Sequence, residues 1–160
     1  MVVLDASSML HAWDNYPIAH FPPLWNWFGD QLKQHRFSIP GVVFEEVTRK
    51  SPGCGGWLRD QDIEVVPLSN SVLRTAIIIK AVLGIEEDDY HAKGVGENDL
   101  LIIATTKVIG ATLVTEEGRQ FRLPDVMAKY KIPAVCGLPE VDVPCIQFID
   151  LIKISDVVFA

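Results

Sequence analysis

The sequence predicts a three-layer α/β/α sandwich with a mainly parallel central sheet, and three observations carry this. Short β-prone runs alternate with longer amphipathic segments, the pattern of a sheet covered on both faces by helices. Acids stand just after two of those runs, where open parallel sheets place ligands: outside the carboxyl ends of strands, where strand order reverses. The 160 residues contain no repeat, low-complexity run or long linker, so one domain over residues 1–160 is expected, long enough to bury a substantial core.

Taken in order, Val2-Val3-Leu4 is a short β-prone run, and Asp5-Ala6-Ser7-Ser8 reads as a turn that starts a helix, since short oxygen-bearing side chains cap free amide groups. Leu24 to Arg36 is expected to be an amphipathic helix with Leu24, Trp25, Phe28 and Leu32 on one face. Pro40 opens a second helix through about Lys50, proline being tolerated in a first turn, and Ser51-Pro-Gly-Cys-Gly-Gly56 breaks it. Glu64 to Leu68 reads as a strand, Ser69 to about Gly84 as a helix capped by Ser69 or Asn70, and Glu86 to Gly96 as a polar loop. Asn98 to Ile109 is a helix apolar nearly all round, hence buried. Ala111 to Val114 is a short strand leading into Thr115-Glu116-Glu117-Gly118, and helices are expected over Pro124 to Lys131 and Cys145 to Lys153.

Composition excludes several classes. The hydrophobic share of 49% and charged share of 22% are those of a globular chain, not a disordered one. No run approaches the roughly 18 apolar residues of a membrane span, since Ala76 to Leu83 is interrupted by Lys80. The opening Met1-Val-Val-Leu-Asp5 lacks a basic n-region, so a soluble, cytoplasmic protein is expected. Three cysteines without Cys-x-x-Cys spacing argue for free thiols rather than disulfides or structural zinc, and the four scattered histidines argue against a histidine metal site. The net charge of −7 counts against a non-specific nucleic-acid binder, leaves room for a basic protein partner, and is partly cancelled if a clustered acidic site holds a metal.

The acids fall in a pattern. Asp5 follows the first strand, and Glu116 and Glu117 follow the strand ending at Val114, so in a parallel sheet they share one edge. Asp99 stands in the first turn of the buried helix, on the face of Ile102, Ile103 and Thr106. Around the helix after Pro40, Glu46 falls between the inward Val42 and Val43 whereas Glu45 points nearly opposite, so Glu46 faces the protein. Singly, each acid has an ordinary explanation as a cap, a partner for the helix dipole or a solvated turn. Together, carboxylates crowded beside apolar residues repel one another, and no run of Lys or Arg lies beside them in sequence. A hard divalent cation, Mg²⁺ or Mn²⁺, would offset that repulsion.

These residues resemble the PIN domain family, whose best-known members are ribonuclease toxins of toxin–antitoxin pairs. Val2-Val-Leu-Asp5-Ala-Ser7 looks like its opening strand and acid, and Glu46-Val47 like its helical glutamate. Asp99-Leu-Leu-Ile102-Ile-Ala104-Thr105-Thr106 is similar to its Asp-x-x-Ile-Ala-x-Ala block, shifted by one residue at the Ile-Ala step. Leu113-Val-Thr115-Glu-Glu117 resembles its strand ending in Thr-x-Asp, and Lys131-Ile-Pro-Ala-Val-Cys136 is similar to the tail of a less-characterised PIN-like branch. Two features depart from the pattern: the last acid is Glu rather than Asp, with Glu116 competing with Glu117 for the position, and Glu97 is a further acid near Asp99.

The resemblance implies a single PIN-like nuclease domain in which Asp5, Glu46, Asp99 and Glu117 hold Mg²⁺ or Mn²⁺ and hydrolyse RNA, leaving a 5′-phosphate and a 3′-hydroxyl. It implies an antitoxin protein as partner. Ser7, Thr115 and Glu116 would support the site, Ser7 serving equally well as a plain helix cap. Arg49, Lys50 and Arg119, with Arg122, flank the acids and would meet backbone phosphates, or else are solvated surface charge. Trp13, Trp25, Trp27, Trp57 and Phe28 read as core, or as a self-association face giving a homodimer, rather than as base-stacking platforms. The alternative is a PIN-like module that binds or regulates without cutting. An aspartyl phosphatase is disfavoured because Asp5-Ala6-Ser7 lacks the second aspartate, and a dinucleotide enzyme because no Gly-x-Gly-x-x-Gly turn follows the first strand.

Overall fold

Five short strands form one all-parallel sheet: β1 (Val2–Leu4), β2 (Phe37–Pro40), β3 (Val65–Val66), β4 (Thr112–Val114) and β5 (Cys145–Ile146), in the order β3-β2-β1-β4-β5. The structure is a computed structural model describing residues 1–160. Val2 pairs with Phe37 on one side and Thr112 on the other, so β1 is the central strand. The chain steps outward from β1 to β2 and β3, then returns to the far side of β1 for β4 and β5. Strand order therefore reverses between β1 and β4.

Eight helices cover the sheet: α1 (Ala6–Asn15), α2 (Pro22–Lys33), α3 (Gly41–Lys50), α4 (Pro52–Asp60), α5 (Asn70–Val82), α6 (Glu97–Ile109), α7 (Ile132–Cys136) and α8 (Phe148–Ile154). Val3 and Leu4 point to opposite faces of β1 and both are fully buried, as are Leu113 and Val114 of β4. Both faces of the sheet are thus covered, which makes the architecture a three-layer α/β/α sandwich. Each such buried Leu or Val contributes about 1.5–3 kcal/mol relative to exposure. No helix is long and apolar enough to cross a membrane.

The elements around the acids match the sequence closely. Asp5 is the N-cap of α1, Ser69 Oγ accepts from Val72 N–H to cap α5, and α6 ends at Gly110 in the left-handed conformation that glycine favours. The Trp cluster is core: Trp25 meets Trp57, Trp13 and Phe28 with ring centroids 4.7, 5.5 and 5.7 Å apart. All three cysteines are free.

Four expectations need correcting. The expected break at Ser51 to Gly56 is only a joint at Ser51, because Pro52 starts α4 where a missing N–H costs nothing. Gly55 lies inside that helix because a Cβ there would run into Thr48 of α3, so the two helices pack against bare backbone. Phe37–Pro40 is a strand that sequence patterning does not predict; Pro40 ends it and, as expected, also opens the helix through Lys50, as the N-cap of α3. Pro124 to Lys131 is no α-helix: only a 3₁₀ turn at Met127–Lys129 forms, and Lys131 caps the short α7, an element absent from the expected order. Cys145 and Ile146 are strand rather than helix, since they pair with Leu113 and Val114, and α8 begins at Phe148.

Candidate functional site

Asp5 leaves the end of β1 at the reversal of strand order and is only 3% exposed. Its carboxylate is held on every side. Ser8 N–H donates to Oδ1 at 2.7 Å, Thr115 Oγ1 donates to Oδ2 at 2.5 Å, and the Ser7 hydroxyl sits 2.8 and 2.9 Å from the two oxygens. Burial nevertheless outweighs these donors and raises the Asp5 pKa above its ordinary value of 3.8.

Thr115, Glu116 and Glu117 leave the end of the adjacent β4. Glu116 N–H donates to Ser7 Oγ at 2.9 Å and Glu117 N–H to Thr115 Oγ1 at 3.2 Å, so the two hydroxyls join the two strand ends. The side chains then diverge. Glu116 accepts from Phe148 N–H at 2.7 Å and lies 3.9 Å from His11, whereas Glu117 Oε2 accepts from Ile132 N–H at 2.8 Å. Burial raises the Glu117 pKa, and the negative charges of Asp99 and Asp5 push the same way.

Asp99 in the first turn of α6 accepts from Gly96 N–H at 2.8 Å, closing the helix start on itself. Its pKa is raised by burial and then by the charge of Glu46 on α3. Glu46 is half-buried and bonded to Lys50 Nζ at 2.5 Å, one turn along, while Glu45 is exposed. Arg49 is exposed and lines a small open cavity with Glu46 and Asn98. Glu97 stands apart, in a groove between α5 and α6 with Lys80 and Tyr90.

The fold therefore brings Asp5, Asp99 and Glu117 within one electrostatic neighbourhood and links Glu46 to it through Asp99. Lys50 and Lys131 are the cations whose charge reaches it. No three Asp, Glu, His or Cys side chains converge closely enough to hold a metal ion in their present rotamers. Asp99 and Glu117 each keep one oxygen without a hydrogen bond, whereas both oxygens of Asp5 are already bonded; carboxylate oxygens of this kind are the donor chemistry of a hard divalent cation.

A family model described as "Domain of unknown function (DUF4411)" matches residues 2–159. The chain belongs to the DUF4411 family. No curated protein matches this DUF4411 chain in sequence. Among solved structures it is similar to a chain of VapBC2 from Rickettsia felis, whose crystal structure was determined bound to a DNA fragment from their promoter. The two are 18% identical over 92% of this chain and 99% of that one, with a TM-score of 0.54. The likeness shows the fold alone: the all-parallel sheet covered by helices is shared with that chain.

Beside Glu117 the DUF4411 chain has a feature its sequence did not disclose. Lys93, Lys129 and Lys131 line an open cavity of about 480 Å³ together with Glu117 and Gln120. Lys129 ends the 3₁₀ turn and Lys131 precedes α7, with the buried, extended Tyr130 between them. The expected helix over Pro124 to Lys131 hides this arrangement. Arg119 is exposed on the same loop and lines a neighbouring cavity with Cys136 and Cys145.

Proposed function

We propose that the chain is a Mg²⁺- or Mn²⁺-dependent endoribonuclease of the PIN type, acting as the toxin of a toxin–antitoxin pair. Asp5, Glu46, Asp99 and Glu117 are its catalytic and metal-holding acids. The observation that carries the reading is that Asp5 and Glu117 stand past the ends of the adjacent parallel strands β1 and β4, joined through the Thr115 hydroxyl, with Asp99 near enough for its charge to push the Glu117 pKa up. Of the four acids only Glu46 forms an ion pair, with Lys50; Asp5, Asp99 and Glu117 form none, which leaves them to share a cation.

A bound divalent ion supplies Lewis acidity at the scissile phosphate. The rest is the work of side chains. Ser7, Ser8 and Thr115 fix Asp5 so tightly that it acts as a rigid ligand. Glu117 is anchored through Oε2, and its longer side chain leaves Oε1 to swing inward. Glu46 would help hold the cation in place of its present bond to Lys50, and Lys50 would then be available to a substrate phosphate beside Arg49, with Arg119 on the other flank. Glu116, turned to Phe148 and His11, supports the loop. Exposed Leu73, Ile77 and Ile78 on α5 offer an apolar face for a protein partner, an antitoxin or a second copy.

The second reading, a PIN-like module that binds without cutting, draws on the failure of three donors to converge and on the tethering of Glu117. Purified protein decides between them. RNA cleavage that needs Mg²⁺ or Mn²⁺ and is lost in Asp99→Asn supports the nuclease, and intact RNA under every metal condition supports the module.

A further inference from the structure

On a chain of net charge −7, three lysines gather at one cavity with no ion pair between any of them and an acid. The wall that holds them is built from three separate segments. Gln120 Nε2 donates to the Lys129 carbonyl at 3.1 Å, and Gln120 Oε1 accepts from Lys131 N–H at 2.8 Å. Val95 N–H donates to the Tyr130 carbonyl at 3.0 Å, bringing the Lys93 loop alongside. Gly94 permits that approach: a Cβ there would overlap the Ala128 carbonyl. Backbone is thus fixed under three lysines against the single acid Glu117, an excess of positive charge that suits an anion.

The loop leading into this wall carries exposed Arg119 and Arg122, and between them Phe121 at 99% exposure. A fully exposed phenylalanine adds nothing to the core, but an aromatic ring among cations is the surface on which single-stranded bases stack.

We infer that the cavity of Lys93, Lys129 and Lys131 is a phosphate subsite for single-stranded nucleic acid, with Phe121 stacking a base of the same strand. It would hold a backbone phosphate next to the one presented to the acids, since Glu117 belongs to its wall. In that form it rests on the ribonuclease reading above.

The test is fluorescence anisotropy of a labelled single-stranded oligoribonucleotide in chelator, so that nothing is cut. Wild type is compared with Lys93→Gln/Lys131→Gln and with Phe121→Ala, all exposed positions, each checked by thermal melt. The double variant should bind about tenfold more weakly, the scale of removing one charge-assisted hydrogen bond. Its plot of log affinity against log salt should be shallower by about 0.7 for each phosphate no longer neutralised. Phe121→Ala should weaken binding at least about fivefold with the slope unchanged, because stacking carries no counterion release. Absence of wild-type binding, or an unaltered affinity and slope in the double variant, overturns the inference even if the protein cuts RNA with metal. Binding with these effects by a protein that never cuts RNA leaves the subsite standing and overturns the nuclease reading instead.

Discussion

Thr115 Oγ1 donates a hydrogen bond to Asp5 Oδ2 across the β1–β4 pairing, joining residues 110 positions apart where strand order reverses. The same hydroxyl accepts from Glu117 N–H, so one side chain sets both the first acid and the approach of the last. Thr115→Val keeps the shape and removes the donor, leaving a buried carboxylate one partner short. The expected cost is about 1–3 kcal/mol in equilibrium denaturation, with Thr115→Ser close to wild type. A Val variant as stable as wild type would show that the bond contributes nothing to holding the edge.

Glu45 and Glu46 line one small cavity but differ in burial. Glu46 is 24% exposed in its side chain and its charge reaches Asp99; Glu45 is solvated. Glu46→Gln should reduce metal-dependent RNA cleavage at least about a hundredfold, the scale of removing one group that stabilises transition-state charge. Glu45→Gln should retain most activity. Equal losses from both would mean that α3 contributes general negative charge rather than one positioned acid.

Glu116 and Glu117 separate in the same way. Each accepts a backbone N–H, which a glutamine oxygen can still do, so Glu116→Gln and Glu117→Gln should both fold with near-wild-type melting temperature. The Glu117 charge couples to Asp99 and Asp5, while the Glu116 carboxylate is turned to Phe148 and His11. Cleavage should therefore fall in Glu117→Gln and survive in Glu116→Gln; the reverse result would shift the family alignment at this turn by one residue.

The parts of this edge that are legible in the sequence are those set by local physics. Asp5 as a cap, the inward side of α3 and the buried α6 follow from side-chain length and helical period, which need no knowledge of distant chain. The hidden parts depend on partners far away. Cys145 and Ile146 form a strand only because Leu113 and Val114 offer an edge, and Phe37 to Pro40 only because β1 does. Two to four residues carry too little periodicity to declare themselves. The divergence of Glu116 from Glu117 likewise depends on where Phe148 and Ile132 place their amides, and the lysine cavity on the close approach of Gly94 to Ala128.

Charge at this edge also sets how stability follows pH and metal. Asp5, Asp99 and Glu117 have folded pKa values raised above their ordinary 3.8, 3.8 and 4.5. A raised carboxyl pKa means that the folded state binds more protons than the unfolded one over the window from the ordinary value up to the raised one. Their contribution is therefore fully present below the ordinary values and is lost as pH rises through the raised ones. The metal-free protein should melt lower as pH climbs through that window toward neutrality. Asp99→Asn removes one charge yet keeps an oxygen for Gly96 N–H, so at neutral pH in chelator it should be at least as stable as wild type, with a flatter pH dependence. Millimolar Mg²⁺ or Mn²⁺ should raise the wild-type melting temperature, worth about 2.7 kcal/mol at a hundredfold excess over Kd, and should do less for the variant. Melts of both proteins with and without metal measure all of this. If wild type gains nothing from metal and Asp99→Asn is clearly destabilised, Asp99 is a helix cap and the cation-sharing account of the edge fails with it.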